Sequence, residues 1–436
     1  MKRLVLLSIP FAFLLVSCSL WQLSSPSSSY KSLLFLDPKL QKLFSVTDTG
    51  IESYAKPFSQ NTSLQAEFSL QKDEFPLFRN MFSYLSEEQV LQVYTFKGKK
   101  SLREVLPKGY TYDKQVKLPS LYKKPLQGVR IAIDPGHTAG TLQHAQLEQK
   151  IVNIEVKLGK KKKLVSFYES ELAFDTATIL ADWLRKDGAE VFVTKRAKGI
   201  TAFSMSFQDW KKKAMPATVT RAWKDGEISK KFRDHLLKKA DDIEIFHKFF
   251  KNRELNERAR LINNFHPHIT VIIHYNILPD KTFWKSKGTR LQTTPINYSL
   301  SFVPGAFEKG SMDSVENRLQ LLRLLVTDDL ENSLEFCSYI QKSFVKVLKV
   351  PEFTGYRKYW LKTEVPGIYT RNLRMTRRVY GTLCFGESLL QNNEKEYKAL
   401  SKKDYVYRGK KIPRRLLENA QAYYQGIRKY LKSKRH

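Results

Sequence analysis

Residues 129–137 have the sequence Val-Arg-Ile-Ala-Ile-Asp-Pro-Gly-His. The apolar residues at the start have the length of a buried strand, which the Pro-Gly pair then ends. Asp134 and His137 therefore follow the carboxyl end of that strand, where open α/β sheets place their ligand sites. A histidine fixed there is suited to metal binding, because its imidazole is neutral near pH 7 and offers a ring nitrogen. Taken alone, the stretch fits a strand that ends in a polar turn equally well.

A helix and a second strand follow after an insert. The helical pattern starts at Glu169, apolar residues recur every three or four positions as far as Leu184, and Gly188 stands where a C-terminal cap belongs. Residues 190–194 then form the strand. The insert contains four consecutive lysines at 160–163, which repel each other and predict an exposed loop or hairpin tip. In the first helical turn, Glu169 either complements the helix dipole or directs its carboxylate to the strand ends.

Two further strands are each followed by a polar residue of chemical interest. Residues 269–273 form a buried apolar run, and His274 comes directly after it. The last strand, at 381–386, is followed by Glu387. Helical patterns occupy residues 228–241, 256–263 and 414–431.

The alternation of buried strands with amphipathic helices predicts an α/β fold, with a mixed sheet sandwiched by helices. Its strands are expected near residues 129–134, 190–194, 269–274 and 381–386. A small α+β region is expected to precede it, at residues 31–125. Within this region residues 90–96 are predicted as a strand with Lys97-Gly98 as its turn, and Ser86-Glu87-Glu88 suggests a helix nearby.

Composition limits the class of partner. The chain of 436 residues is 42% hydrophobic and can build sizeable cores, and its net charge of +32 favours an anionic partner such as nucleic acid, lipid headgroups or an acidic polymer. Three cysteines are too few for a disulfide framework. Cys337 and Cys384 lie in apolar patterns and are predicted to be buried thiols.

The amino terminus predicts export. Lys2-Arg3 precedes an uncharged run at residues 4–16, which is short for a membrane-spanning helix and has the basic flank of a signal peptide. Leu-Val-Ser-Cys at 15–18 resembles the lipobox of bacterial lipoproteins, in which Cys18 would carry the lipid. Ser19 resembles the outer-membrane sorting pattern. A signal anchor with an incidental cysteine is the alternative. Export argues against a nucleic-acid partner.

Four motifs occur in the order found in one enzyme family. From about Gly128 to Tyr430 the sequence resembles the zinc-dependent N-acetylmuramoyl-L-alanine amidases of amidase family 3. The family's first motif, a strand ending in Asp-Pro-Gly-His, is matched by Ile133 to His137. Its Glu-x-x-Leu-x-Leu helix start resembles Glu169 to Phe174, and its Arg-x-x-x-x-Asn and His-x-Asn block resembles Arg258 to Asn263 with His274 to Asn276. Its final strand-end glutamate, with an asparagine six residues later, is matched by Glu387 and Asn393.

The resemblance implies a role for each matching residue. His137, Glu169 and His274 would be the ligands of a zinc ion (Zn2+), Glu387 the catalytic carboxylate and Asn276 a substrate-binding residue. Two imidazoles and one carboxylate leave a fourth zinc position open for water, which is the arrangement of a catalytic site.

The sequence also departs from the family pattern. Thr138-Ala139 stands where the family has Gly-Gly, and Thr194-Lys195-Arg196 where it has Thr-Arg. The last motif has Gly386 before the glutamate instead of a branched apolar residue. These differences bear on the shape of the substrate groove more than on the metal site.

The function implied by the resemblance is hydrolysis of the amide bond between N-acetylmuramic acid and L-alanine in peptidoglycan. Two alternatives are a zinc peptidase acting on the stem peptides, which would share the metal site, and a cell-wall-binding lipoprotein without activity. The implied partners are peptidoglycan, a membrane through the lipid anchor, and an activating protein of the division machinery. The expected location is the periplasmic side of the envelope, at the outer membrane.

The predicted organisation has four parts. They are a lipoprotein signal peptide at 1–18, a flexible serine-rich tether at 19–30, the N-terminal region at 31–125, and an amidase-like catalytic domain with basic inserts at 126–436.

The lipobox predicts that Cys18→Ala abolishes lipidation. The variant should be released as soluble protein or retained with an unprocessed signal, because the modified residue is missing. Membrane fractionation and intact mass of mutant and wild type test this. Identical fractionation and identical mass, apart from the substitution, would rule out the lipid.

Overall fold

The computed structural model describes residues 28–56, 65–98, 100–107, 110, 124–158, 161–286 and 290–435. The predicted signal peptide and lipobox lie outside these residues. Within the described ranges, no helix has both the length and the apolar character needed to cross a bilayer.

The elements are numbered in chain order. The strands are β1 (Phe44–Val46), β2 (Gly50–Ser53), β3 (Phe68–Gln71), β4 (Arg130–Pro135), β5 (Ile151–Leu158), β6 (Lys161–Tyr168), β7 (Glu190–Val193), β8 (Ile269–Asn276), β9 (Arg290–Gln292), β10 (Leu300–Val303), β11 (Trp360–Lys362), β12 (Ile368–Arg371), β13 (Leu383–Leu390), β14 (Tyr405–Tyr407) and β15 (Lys410–Ile412). The α-helices are α1 (Phe75–Tyr84), α2 (Glu87–Lys97), α3 (Leu102–Val105), α4 (Leu142–Leu147), α5 (Glu169–Lys186), α6 (Phe207–Lys213), α7 (Met215–Lys224), α8 (Lys230–Lys238), α9 (Asp242–Ile245), α10 (Lys251–Phe265), α11 (Lys281–Lys285), α12 (Val315–Val326), α13 (Asp329–Ser343), α14 (Arg374–Arg378), α15 (Glu394–Ser401) and α16 (Arg414–Ser433).

A mixed seven-stranded sheet with the order β11-β12-β10-β13-β8-β4-β7 forms the centre of the fold. The four strands predicted from the sequence are β4, β7, β8 and β13, and they run parallel as direct neighbours. β10 is antiparallel to β13, which makes the sheet mixed. The predicted fold class and the four predicted strands are confirmed.

The sheet separates two apolar cores because successive side chains of a strand point to opposite faces. On β4, Ile131 and Ile133 belong to the larger core, where α5, α13 and α16 pack. Ala132 belongs to the smaller core on the other face, which contains Ile262 of α10. Burial on both faces explains why the central strands are almost continuously apolar in sequence.

The N-terminal region contains one element that the sequence analysis assigned wrongly. Residues 90–96 are not a strand but part of helix α2. The reason is a capping box, in which Ser86 Oγ accepts from Gln89 N at 3.2 Å and Gln89 Oε1 accepts from Ser86 N at 2.9 Å. The residues that the helix buries recur at helical spacing and are Val90, Val93, Tyr94 and Lys97.

Hydrogen bonds and salt bridges of charged side chains attach this region to the rest of the chain. Buried Lys31 donates to the carbonyls of Leu324 and Thr327 at 2.9 and 2.8 Å, and Arg318 pairs with Glu67 at 2.6 Å. Apolar residues of the region also belong to the larger core. The boundary between residues 125 and 126 stays a prediction.

The two inserts have regular structure. Lys161, Lys162 and Lys163 are exposed, as predicted, and begin β6, which pairs with β5 as an antiparallel hairpin. Lys160 lies outside the described residues. β5 also pairs in parallel with β9. The second insert contains helices α6 to α9 around a separate apolar cluster that includes Phe207 and Trp210.

Close packing behind β13 explains the departure at Gly386. Tyr423 of α16 donates a hydrogen bond to the Gly386 carbonyl at 3.0 Å, and a Cβ at residue 386 would overlap the Tyr423 hydroxyl. The branched residue of the family pattern therefore has no room here. Cys337 and Cys384, on the same side of the sheet, are buried free thiols, as predicted.

We predict that Gly386→Ala lowers the free energy of unfolding by about 1–3 kcal/mol through overpacking. The loss should be smaller in a Tyr423→Phe background, because the overlapping hydroxyl is then absent. Denaturant unfolding of the four proteins of this cycle measures the coupling. The control is Gly310→Ala, since a Cβ at Gly310 meets nothing within 4 Å. Equal losses in both backgrounds would show that the contact does not matter.

Candidate active site

The loop after β4 is held beside the end of β8. Gly136 N donates to the Ile273 carbonyl at 2.8 Å. The Gly136 backbone also faces the His274 ring, since a Cβ on Gly136 would lie 2.5 Å from His274 Nε2. His137 follows with a φ of 60°, in the left-handed region. The Asp-Pro-Gly-His sequence thus permits two histidines from neighbouring strands to approach each other.

Three of the predicted site residues meet at this point. His137 Nε2 lies 2.8 Å from Glu169 Oε2, and His274 Nδ1 lies 2.8 Å from Glu169 Oε1. Each of the three residues offers one possible ligand atom, a ring nitrogen or a carboxylate oxygen. These three atoms lie within 4.8 Å of one another. Glu169 is the first residue of α5 and directly follows the last residue of β6. From this position its carboxylate contacts both imidazoles.

Glu387 lies beside this cluster. It occupies the position on β13 that pairs directly with His274 on β8. Its Oε2 is buried and has no hydrogen-bond partner among the described residues. Burial, followed by the charge of Glu169, raises the pKa of Glu387 well above its usual range. This carboxyl group therefore has the environment of a general acid or base.

The three clustered residues fit a zinc ion by their chemistry. Two imidazoles and one carboxylate are a ligand set of catalytic zinc sites. Their side chains are 13–15% exposed, so the cluster is largely shielded but can be reached from solvent. Burial opposes protonation of His137, but Glu169 and Glu148 outweigh it and raise the pKa of His137 to about 10. Burial lowers the pKa of His274. The cluster thus stabilises positive charge between its carboxylates.

Glu148 is a site residue that the sequence analysis missed. Its Oε2 lies 3.3 Å from His137 Nδ1 and accepts a hydrogen bond from Thr138 N at 3.1 Å. Burial acts to raise its pKa, but His137 and Arg258 lower it to about 2. Metal-binding histidines usually donate their second ring nitrogen to such a carboxylate. Nothing in the sequence identifies Glu148 as a site residue, because only the folding of the segment after β4 brings its carboxylate into contact with His137.

Buried charges support the His137 loop from behind. Arg258 of α10 donates to the His137 carbonyl at 2.6 Å and pairs with Glu254 at 2.5 Å. The ammonium group of Lys195 donates to the carbonyls of Pro135 and His137. Lys195, one of the departures from the family pattern, therefore makes backbone contacts that hold the loop.

The remaining predicted residues take part in local hydrogen bonds. Asn276 Oδ1 accepts from Ile277 N at 2.8 Å, so its predicted contact with substrate stays a prediction. Asn393 caps α15 by accepting from Lys395 N and Glu396 N. Its amide also donates to the Ile296 carbonyl at 3.1 Å. The asparagine of the last motif is thus a structural residue.

Comparison with known proteins gives a family match. Residues 131–412 match the family described as N-acetylmuramoyl-L-alanine amidase. No curated protein matches the sequence. Similar solved structures include the CwlD amidase of Clostridioides difficile, described in complex with the GerS lipoprotein (16% identity, 70% of this chain and 100% of that chain covered, TM-score 0.37). Another is the N-acetylmuramyl-L-alanine amidase Ami1 of Mycobacterium smegmatis (12% identity, 70% and 98% covered, TM-score 0.38).

We predict that Glu148→Gln lowers zinc affinity about 10–100-fold, the usual effect of removing the carboxylate behind a ligand histidine. The fold should persist, because the Thr138 N–H still has an acceptor. Competition with a chromophoric chelator measures the affinity, and circular dichroism checks the fold. The control is Glu190→Gln, which changes an exposed glutamate on β7. Equal affinities of Glu148→Gln and the control would contradict the role of Glu148.

Proposed function

The chain belongs to the family of N-acetylmuramoyl-L-alanine amidases, and we propose that His137, Glu169 and His274 hold its zinc ion, with Glu387 as the catalytic carboxylate. The enzyme hydrolyses the amide bond between N-acetylmuramic acid and L-alanine in peptidoglycan. The observation that carries the site assignment is the convergence of the three ligand atoms within 4.8 Å, next to a glutamate whose Oε2 is buried. Family membership favours this reaction over cleavage within the stem peptide, which would use the same kind of metal site.

When bound, zinc supplies Lewis-acid activation of water and of the substrate carbonyl. Glu387 takes one proton from the attacking water and passes it to the nitrogen of the leaving alanine. The new C–O bond forms first and the C–N bond then breaks, which gives the muramic carboxylic acid and a free amine. The second proton of the attacking water then passes from the acid to the amine, so the final products are the muramic carboxylate and an ammonium group on L-alanine. The burial of its Oε2 and its raised pKa suit Glu387 to hold and return a proton.

The neighbours of the cluster position its members. Glu148 orients His137 through Nδ1, and Arg258 and Lys195 hold the His137 carbonyl. The His274 ring stacks on Phe385 with 4.3 Å between ring centroids and an interplanar angle of 11°. Tyr275 N donates to Glu169 Oε1 at 2.8 Å, which fixes the carboxylate that both imidazoles contact. These contacts support a preorganised site.

A cell-wall amidase acts outside the cytoplasm. For this chain we propose a lipid on Cys18 and a location on the periplasmic side of the envelope, at the outer membrane. The Lys2-Arg3 flank, the uncharged run and the box at residues 15–18 support this proposal. An activating protein of the division machinery and a substrate contact of Asn276 are further parts of the proposal.

We predict that Glu387→Gln folds, binds zinc and loses activity by about 10²–10⁴-fold, because the amide keeps the shape but cannot accept the proton. Zinc stoichiometry, melting temperature and release of stem peptides should be measured on one preparation.

The control for this test is Glu394→Gln, an exposed glutamate in the first turn of α15. It should leave the rate unchanged. Near-normal peptide release by Glu387→Gln together with a lowered melting temperature would mean that Glu387 is structural. Loss of zinc from Glu387→Gln would mean that Glu387 belongs to the metal ligands.

A further inference from the structure

A row of aromatic rings extends from the site along one face of the sheet. His274 stacks on Phe385, whose ring centroid is 5.8 Å from that of Phe302. The Phe302 ring contacts Trp360 at 5.0 Å, and Trp360 contacts Phe353 at 6.0 Å. The buried rings, Phe302 and Phe385, lie beneath the half-exposed Trp360 and Phe353. This aromatic row therefore links a proposed metal ligand to the surface.

The loop at residues 351–359 forms the outer part of the row, and β12 fixes its position. The Tyr369 hydroxyl donates to the carbonyls of Phe353 and Gly355, both at 3.0 Å. Phe353 N also donates to the Ser299 carbonyl at 2.9 Å. The loop is therefore attached to the sheet before any ligand binds.

Two exposed arginines lie on this row. The Arg371 guanidinium is 5.8 Å from the Trp360 ring centroid and 5.9 Å from that of Phe302. The Arg357 guanidinium is 5.6 Å from the Phe353 ring centroid. Neither forms a salt bridge with a carboxylate of the described residues, although the chain pairs many other arginines. The Arg357 side chain also hydrogen-bonds to the Tyr298 side chain. Two guanidinium groups on aromatic faces, with no carboxylate partner among the described residues, are preorganised to bind an anion.

The register of the sheet fixes where Arg371 lies relative to Glu387. Glu387 pairs with Leu300 on β10, and the next residue of β10, Ser301, pairs with Ile368 on β12. Arg371 is therefore four residues farther along β12 than the position level with Glu387, about 13 Å along the strand in addition to about 10 Å across two strand spacings. Its side chain shortens this gap, because the guanidinium lies 5.9 Å from the ring of Phe302, which is level with Phe385, two residues before Glu387.

We propose that Arg357 and Arg371 bind carboxylates of the stem peptide, and thereby make the enzyme specific for peptidoglycan whose stems carry free carboxylates. This inference rests on the proposed function, because it extends the same site. The muramic carboxyl group is consumed in the scissile amide, so the formal negative charges of this substrate lie on the peptide. A neutral glycan would use the aromatic rings but leave both guanidinium groups without a partner.

The test compares two soluble muramoyl tripeptides that differ only in the second and third stem residues, whose carboxylates are either free or amidated. We expect the zinc-loaded wild type to prefer the free form on the order of tenfold in kcat/KM, the usual size of a charge-assisted hydrogen bond. Arg357→Gln combined with Arg371→Gln should remove this preference through KM. Arg371→Lys alone should retain part of it, because the charge remains.

The matched control is Arg221→Gln, an exposed arginine on α7 that also forms no salt bridge with a described carboxylate. It should keep the wild-type preference. Equal loss of activity on both tripeptides, or an unchanged preference in the double variant, would overturn the inference and leave the amidase function standing. If the wild type cleaves neither tripeptide, the proposed function fails. In that case the affinities of the wild type and the double variant for the two tripeptides should be measured by calorimetry. The carboxylate-binding role of the arginines is supported only if the wild type binds the free form more tightly and the double variant does not.

Discussion

The site depends on one largely shielded carboxylate, that of Glu169, which contacts two imidazoles at the ends of different strands. His137 follows β4, His274 lies near the end of β8, and Glu169 begins α5. Parallel pairing of β4 with β8 sets the first two at the same edge of the sheet, and Gly136 allows their loops to approach. Without Glu169, two largely shielded imidazoles would face each other with no negative charge between them to favour a cation.

A second set of charges supports that arrangement from the protein interior. Glu148 is bound to His137, and Arg258 and Lys195 bind the carbonyl of the same residue. Burying so many charges is costly unless each is paired. The cost is offset by the pairs themselves, as in Arg258 with Glu254. Asp134, three residues before His137 in the chain, accepts a hydrogen bond from Thr194, which follows the neighbouring strand β7.

Much of the sheet and the main site residues could be predicted from the sequence, because buried parallel strands are apolar runs and their polar ends are easy to recognise. Ser86-Glu87-Glu88 indicated a helix nearby, but the strand predicted at residues 90–96 is wrong, because the capping box at Ser86 starts a helix that continues through these apolar residues to Lys97. Glu148 and the arginines near Trp360 could not be predicted, because only tertiary structure brings them to the site. The glycine at position 386, where the family pattern has a branched apolar residue, is explained by its packing against Tyr423, which only the tertiary structure shows.

We propose that this site cleaves the amide that joins muramic acid to L-alanine. Mass spectrometry of purified peptidoglycan digested with the zinc-loaded enzyme tests this most directly. We expect stem peptides with a free amino group on L-alanine, together with glycan strands that carry the free muramic carboxylate. Shortened stems that are still attached to the glycan would instead show that the enzyme is a peptidase. Undigested peptidoglycan would show that the protein does not cleave the wall, and either result would contradict the amidase activity of this site.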